Sequence, residues 1–276
     1  MVEYYKNKAD TTRTWKPYSR IEWPALAAPP AVTEGIKAEG LYGTKSFALY
    51  HIKADGSKGS WWHDVPYKPA GAKDGIYNFI VEIPQGTVAK METTKEAAHN
   101  PMMQDTKKGK VRFYEYGVTF FNYGLFPQTW DDPNVKDPVA GTIGDNDPLD
   151  VVELGGPMGG RPMGTIVAVK VVGSLRLLDD GETDDKIVVV DASGPLKDVN
   201  SVADLQKALP GQLERLVDWL ANYKAVRNAK KVNTFATKEP TSMVDAVRTI
   251  EGSHVHWKNL VKEGSEVKHD AKFHLK

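Results

Sequence analysis

Thr165-Ile-Val-Ala-Val-Lys-Val-Val-Gly-Ser-Leu-Arg-Leu-Leu-Asp-Asp-Gly-Glu-Thr-Asp-Asp-Lys-Ile-Val-Val-Val-Asp191 reads as two strands joined by a turn. Residues 165–177 and 187–191 are rich in Val, Ile and Leu, which suit a pleated surface, and Asp180-Gly181 is a turn signal between them. Similar runs lie at 47–52, 77–83, 110–116 and 151–154, with further turn signals at Asp55-Gly56 and Asp74-Gly75. Many short strands without long helices between them favour an antiparallel barrel or sandwich over a parallel sheet. Helical signals come late. Ser201-Val-Ala-Asp204 resembles a capping box, and Pro210 suits the first position of a second helix. Leu213, Leu216, Val217 and Leu220 then form one apolar stripe at i, i+3, i+4 and i+7. A third helix is predicted from about Thr241, with Met243, Val247, Ile250, His254, Trp257 and Val261 at helical spacing. The predicted organisation is an extended N-terminal arm over 1–44, one mainly β domain with flanking helices over 45–262, and a frayed polar tail over 263–276.

The chain has 276 residues, enough to bury roughly three quarters of its unfolded surface and form a full core unaided. Cysteine is absent, which excludes disulfides, thiolate metal sites and a cysteine nucleophile. Lys plus Arg and Asp plus Glu both number 36, so the basic excess usual in nucleic-acid binders is missing and no nucleic-acid partner is expected. No run approaches the ~20 apolar residues of a membrane span, no signal-peptide pattern stands in the first thirty residues, and no Asn-x-Ser/Thr sequon occurs. The expectation is a cytoplasmic protein with no membrane partner.

Gly144-Asp145-Asn146-Asp147-Pro148-Leu149-Asp150 is the sharpest chemical feature, and Val151-Val152 follow it directly. Its carboxylates repel one another unless a cation lies between them, and oxygen-only ligands select Mg²⁺, Mn²⁺ or Ca²⁺ over zinc. A solvated acidic turn is the plain alternative, because Asp, Asn and Pro are ordinary turn formers. An EF-hand fails here: the sixth position holds Asp150 where Gly is needed, and the twelfth holds Gly156 where Glu is needed. Asp179-Asp180-Gly181-Glu182-Thr183-Asp184-Asp185 is a second acidic loop, which alone reads as a charged hairpin. Two such loops at one barrel end point to a multi-metal site able to neutralise a polyphosphate. Candidate anion-binding cations are Lys90, which shares a face with Glu92 if the strand continues, Arg112, whose planar fork suits phosphate, and Lys224 at the end of the amphipathic helix. Taken singly, each also reads as an ordinary surface cation. His254 and His256 are expected to take packing or surface roles rather than to bind metal, and Trp61-Trp62 to serve core and lid packing. Walker A, His-Glu-x-x-His and Gly-x-Ser-x-Gly patterns are all missing.

The acidic stretch 144–150 resembles the signature of the soluble inorganic pyrophosphatases built on an OB-like barrel, most closely their eukaryotic branch. Val81-Glu-Ile-Pro84, Asn100-Pro101, Gln104-Asp-Thr-Lys-Lys-Gly-Lys110, Asn122-Tyr-Gly124, Phe126-Pro-Gln-Thr-Trp130 and Asp179-Asp-Gly-Glu-Thr-Asp184 fit in order, over roughly residues 45 to 260. The resemblance implies an α+β fold, mainly β, with an antiparallel OB-like barrel core and two or three helices packed outside. It implies Mg²⁺-dependent hydrolysis of pyrophosphate by metal-activated hydroxide, without a covalent intermediate, with several Mg²⁺ ions and Mn²⁺ as a substitute. Asp145, Asp147 and Asp150 would hold the activating metals, with Asp147 also the general base. Asp179 and Asp184 would take the metals that arrive with substrate. Glu82 and Glu92 would act on the metals and their waters. Lys90, Arg112, Lys186, Tyr223 and Lys224 would hold the phosphoryl groups, and Tyr123 would line the nucleophile's surroundings.

Two departures accompany it. The family usually carries a second tyrosine four residues before Tyr123, where this chain has Thr119, so slower turnover is expected. The eukaryotic enzymes commonly follow Val-Glu-Ile-Pro with Arg-Trp, whose aromatic helps form a dimer contact; here Gln85-Gly86 stands instead, so a homodimer is an option the resemblance does not carry over by itself. A hydrolase of longer phosphoanhydrides and a non-catalytic interaction protein are the rival readings.

Overall fold

The computed structural model describes residues 35–158, 160–226, 228–229, 231–263 and 273–275. Among them the strands are β1 (Ile36–Glu39), β2 (Ala48–Ile52), β3 (Lys58–Gly59), β4 (Ile76–Ile83), β5 (Met91–Thr93), β6 (Met102–Gln104), β7 (Thr106–Lys107), β8 (Lys110–Val111), β9 (Asn122–Leu125), β10 (Asp150–Glu153), β11 (Ile166–Asp179), β12 (Glu182–Asp191) and β13 (Thr234–Phe235). The helices are α1 (Val202–Ala208), α2 (Gln212–Asn222) and α3 (Met243–Glu263).

The hairpin read from 165–191 forms as β11 and β12, turning through Asp180 and Gly181, both left-handed at φ of 48° and 98°. The two consecutive positive angles match the tight turns that suit twisted hairpins. Pairing then runs β4–β9–β10–β12–β11 and back to β4, closing a five-stranded OB-like barrel. The expected antiparallel barrel needs one amendment, since β10 and β12 run parallel. A closed ring with an odd number of strands cannot alternate direction all the way round.

Both faces of β12 are covered, which is why Ile187-Val-Val-Val190 is continuously apolar. Ile187 and Val189 pack with Tyr77, Phe79 and the Ala246 and Ile250 of α3. Val188 and Val190, one residue out of phase, pack with Leu205 of α1 and Leu213, Leu216 and Leu220 of α2. Burying a side chain of this kind contributes about 1.5–3 kcal/mol. A second sheet, ordered β1-β2-β6-β5, covers Ile80, Ile83 and Leu125 with Phe47, Trp61, Met91 and Met102.

Ser201 caps α1 as predicted, accepting from the Asp204 N–H at 3.1 Å. Pro210 does not open α2; Gly211 stands at its N-cap, and the helix starts at Gln212. The strand expected over 110–116 ends at Val111. His254 does pack, stacking on Tyr67 at 3.7 Å while its Nδ1 meets the Gln128 carbonyl at 2.6 Å. Residues 36–39 of the expected arm join the second sheet through β2, and residues 1–34 lie outside the described residues. The frayed tail is corrected over 273–275: Phe273 is buried among Trp62, Trp130 and Leu260, because an apolar ring there finds an aromatic pocket. The rest of the tail from 264 lies outside the described residues.

Candidate active site

The acidic turn at 144–150 is moulded onto the barrel rather than left to solvent. The Asn146 N–H donates to the Asp131 carbonyl, and the Asp131 N–H donates to the Asp147 carbonyl, both at 2.9 Å. The Leu149 N–H donates to Thr129 Oγ1 at 3.0 Å, and Trp130 Nε1–H donates to Asn146 Oδ1 at 3.0 Å. Asn146 is left-handed at φ 69°, a conformation asparagine tolerates better than most residues. Gly144 is required for space, since a Cβ there would stand 2.6 Å from the Asp131 carbonyl.

Asp150 then opens β10, and the parallel register sets it opposite Lys186 on β12, two residues beyond Asp184. Asp145, Asp150 and Asp184 consequently bring oxygens within 4.8 Å of one another. The Lys186 ammonium bridges Asp150 and Asp184. Burial first, then repulsion from Asp184 and Asp147, raises Asp145 well above the usual carboxylate range. Burial pushes Asp150 up to about 7 against the pull of Lys186. Burial also disfavours the charge on Asp184, but there the Lys186 ammonium and its hydrogen bond win, so Asp184 titrates below its ordinary value.

Three partly buried carboxylates with one ammonium between two of them remain short of positive charge. In an octahedron with bonds of about 2.1 Å, neighbouring oxygens lie about 3 Å apart and opposite ones about 4 Å apart. The trio needs only small side-chain movements to meet that spacing, and its all-oxygen chemistry suits a hard divalent cation.

An open cavity of about 250 Å³ extends from the trio. Asp179 lies at the end of β11 and pairs with Lys224, just past α2. Tyr223 stacks on Trp219 at 5.0 Å and meets Tyr114 edge-on. Across the cavity one oxygen of Asp105 engages both Lys90, at 3.0 Å, and Arg112. Burial disfavours the Lys90 ammonium, but Glu92, Tyr114 and Asp105 push it well above its ordinary value, so it stays charged. Burial, followed by the Asp150 charge, raises the Tyr123 phenol, which is neutral at physiological pH.

All of the sequence-predicted site residues line this cavity except Glu82 and Glu92. Glu82 is buried behind it, accepts from the Thr93 N–H at 2.5 Å, and is pushed up by burial to about 8. Glu92 turns aside to Lys90 at 2.7 Å. Thr119 does not reach the cavity either; it is buried, with Oγ1 donating to the Pro84 carbonyl at 3.1 Å. Sequence reasoning missed Tyr114 and Glu182 in the wall, and Asp105 and Lys95 behind it. Lys95 donates to the Asn146 carbonyl at 2.6 Å and pairs with Asp147. Asp105 stood inside a quoted run, yet nothing local shows that a hairpin folds Arg112 back onto it.

Comparison with known proteins gives the family. Residues 79–258 match the model of the family described as inorganic pyrophosphatase. The chain is 41% identical over 228 residues to the inorganic pyrophosphatase of Zygosaccharomyces bailii, covering 80% of this chain and 78% of that one. It is 39% identical over 230 residues to the soluble inorganic pyrophosphatase 6, chloroplastic, of Arabidopsis thaliana, covering 82% and 74%. Among solved structures it resembles the type I inorganic pyrophosphatase of Toxoplasma gondii, with a TM-score of 0.76 at 36% identity, covering 82% of this chain and 98% of the other. The chain belongs to the inorganic pyrophosphatase family, metal-dependent hydrolases that split pyrophosphate into phosphate.

Proposed function

We propose that this chain hydrolyses pyrophosphate with Mg²⁺, using Asp145, Asp150 and Asp184 as the core of the metal site and Asp147 and Asp179 as further ligands. The observation that carries this is the convergence of the three carboxylates within 4.8 Å, in a cavity also lined by Lys90, Arg112, Lys186 and Lys224. Divalent ions, when bound, neutralise the substrate's charge and acidify water, the chemistry by which metal sites make a nucleophile at neutral pH.

The chain's own residues do the rest. Lys90 and Arg112, tethered through Asp105, present donors to one phosphoryl group, and Lys224 with Tyr223 presents donors to the other. Lys186 can pass from its carboxylates to a phosphoryl oxygen. Donors fixed before the reaction stabilise charge on the departing phosphate without reorganising. Asp147, at the mouth of the cavity, accepts the proton of the attacking water. Glu82, whose carboxyl burial raises in the metal-free chain, and Glu92 act behind this group, Glu92 through Lys90. Mn²⁺ is the expected substitute ion.

Two further readings stand apart from the activity: a cytoplasmic location, and the option of a homodimer built without an aromatic at position 86, where Gly86 turns the chain at φ 84°. Localisation of the tagged full-length protein tests the first and sedimentation velocity the second.

Phosphate release from pyrophosphate, triphosphate and ATP, with Mg²⁺ present and then chelated, tests the activity. Fast release from pyrophosphate alone is expected; equal rates on the three substrates would favour a broader phosphoanhydride hydrolase. Asp147→Asn is expected to lower kcat by about 10²–10⁴-fold with the fold intact. Near-normal turnover in that variant would remove Asp147 from the role of base.

A further inference from the structure

We propose that Phe273 and His274, near the end of the chain, are positioning residues for the reaction: they hold Lys95, and Lys95 holds the loop that carries Asp145, Asp147 and Asp150. This rests on the assignment of those aspartates made above.

Phe273 is only 9% exposed and meets Trp62 edge-on at 5.5 Å and Trp130 at 6.3 Å. The backbone of the next residue is captured as well. The His274 N–H donates to the Lys95 carbonyl at 2.7 Å. The Asn100 side-chain amide donates to the carbonyls of both Lys95 and His274, each at 3.1 Å, and so clasps the two segments together.

From this anchored backbone the Lys95 side chain runs past the Phe273 ring, with Nζ 5.6 Å from its centroid. It ends on the Asn146 carbonyl at 2.6 Å and on Asp147 Oδ1. Trp130, the other ring against Phe273, donates from Nε1 to the Asn146 side chain. Two grips on the left-handed turn of the metal loop therefore share one support.

An exposed Lys–Asp pair has little hold of its own, because ordering a long side chain costs entropy and water screens the charges. Here the Asp147 side chain is 53% exposed, whereas that of Lys95 is only 14% exposed. The order resides on the Lys95 side, where the Phe273 ring and the His274 hydrogen bond supply it. Removing that support frees Lys95 to follow solvent and lets the loop turn widen. The aspartates then meet their cation in a poorer arrangement, as happens when outer contacts of metal ligands are lost.

The experiment uses the full-length chain with Phe273→Ala, Lys95→Met and the double substitution. Three quantities are read: Mn²⁺ affinity of the substrate-free protein by electron paramagnetic resonance, amide exchange in the 141–150 peptide, and kcat and KM for pyrophosphate. Each single variant is expected to weaken Mn²⁺ binding and lower kcat by about tenfold, with KM within about twofold. Exchange should quicken in the 141–150 peptide and stay unchanged in 166–191. The double variant should be little worse than either single one, because both act along one route. The proposal is overturned if folded Lys95→Met keeps Mn²⁺ affinity, loop exchange and kcat within about twofold, or if the two losses multiply. Lys95→Met, which retains most of its stem, decides the matter if Phe273→Ala fails to fold. If the wild-type protein shows no metal-dependent pyrophosphate hydrolysis, the site assignment falls, while loop exchange still reports on the grip itself.

Discussion

Asp145→Asn is expected to leave the enzyme inactive and yet make the metal-free protein more stable. The Asp145 carboxylate lies within 4.8 Å of those of Asp150 and Asp184, and the Lys186 ammonium is shared by these last two. At pH 8.5, above the Asp150 value of about 7, Asp150 and Asp184 are charged, and at an effective dielectric of about 20 each repels an ionised Asp145 at that distance by about 3 kcal/mol. Two such repulsions set against one nearby ammonium leave roughly one uncancelled. The side chains of Asp150 and Asp184 remain 20% and 13% exposed, so solvent trims the gain. A net stabilisation of about 2 kcal/mol corresponds to roughly 3–4 °C in Tm for a chain of 276 residues.

The pH dependence has a definite sign. Asp150 titrates in the folded state at about 7, above its ordinary 3.8, so the native state holds the extra proton. Its contribution is fully present below pH ~4 and is lost as pH rises through about 7. Metal-free wild type should therefore fall in Tm relative to the Asn variant across that window, because titrations common to both, His63 among them, cancel. Circular-dichroism melts at pH 5, 7 and 8.5, in chelator and in Mg²⁺, measure both effects. Ion binding at a hundred times its Kd adds about 2.7 kcal/mol to wild type. If metal-free Asp145→Asn melts no higher than wild type at pH 8.5, or if Mg²⁺ raises both equally, the repulsive cluster and the ligand role of Asp145 are wrong.

Thr119→Val removes the Oγ1–Pro84 hydrogen bond and is expected to cost about 1 kcal/mol in urea unfolding while kcat changes less than about twofold, since this side chain stays out of the cavity. Arg161 grips the fully buried Glu153 at 2.8 Å and also reaches Asp191 at 2.5 Å. Arg161→Met strands that buried charge, so a loss of about 3–5 kcal/mol is expected, and adding Glu153→Gln should recover part of it; an unchanged Tm would show the pair to be idle. His63 is pulled down to about 4 by burial beside Trp62 and Trp257. Its folded value lies below the ordinary 6.5, so this stability is present above pH 6.5 and is lost toward pH 4, by up to about 3 kcal/mol; urea titrations of wild type and His63→Gln at pH 7.5 and 4.5 measure it.

By itself the sequence determined the hairpin of 165–191, the cap at Ser201, the stripe of α2 and the acidic turn before β10. Each rests on local chemistry: β-branched runs, a turn dipeptide, a capping hydroxyl, helical spacing. The pattern also offered Lys90, Arg112 and Lys224 as anion-binding cations, and resemblance added Lys186 and the tyrosines of the cavity. Tertiary structure alone decided which of these side chains meet. The parallel seam between β10 and β12, forced by closing five strands, sets Asp150 opposite Lys186 and near Asp184, more than thirty positions away in the chain. It also turned Glu82 and Glu92 away from the cavity, hid Thr119, and brought Asp105 and Lys95 into play. Those outcomes depend on which strands become neighbours, and that is fixed by burial of both barrel faces at once rather than by any stretch of residues read in order.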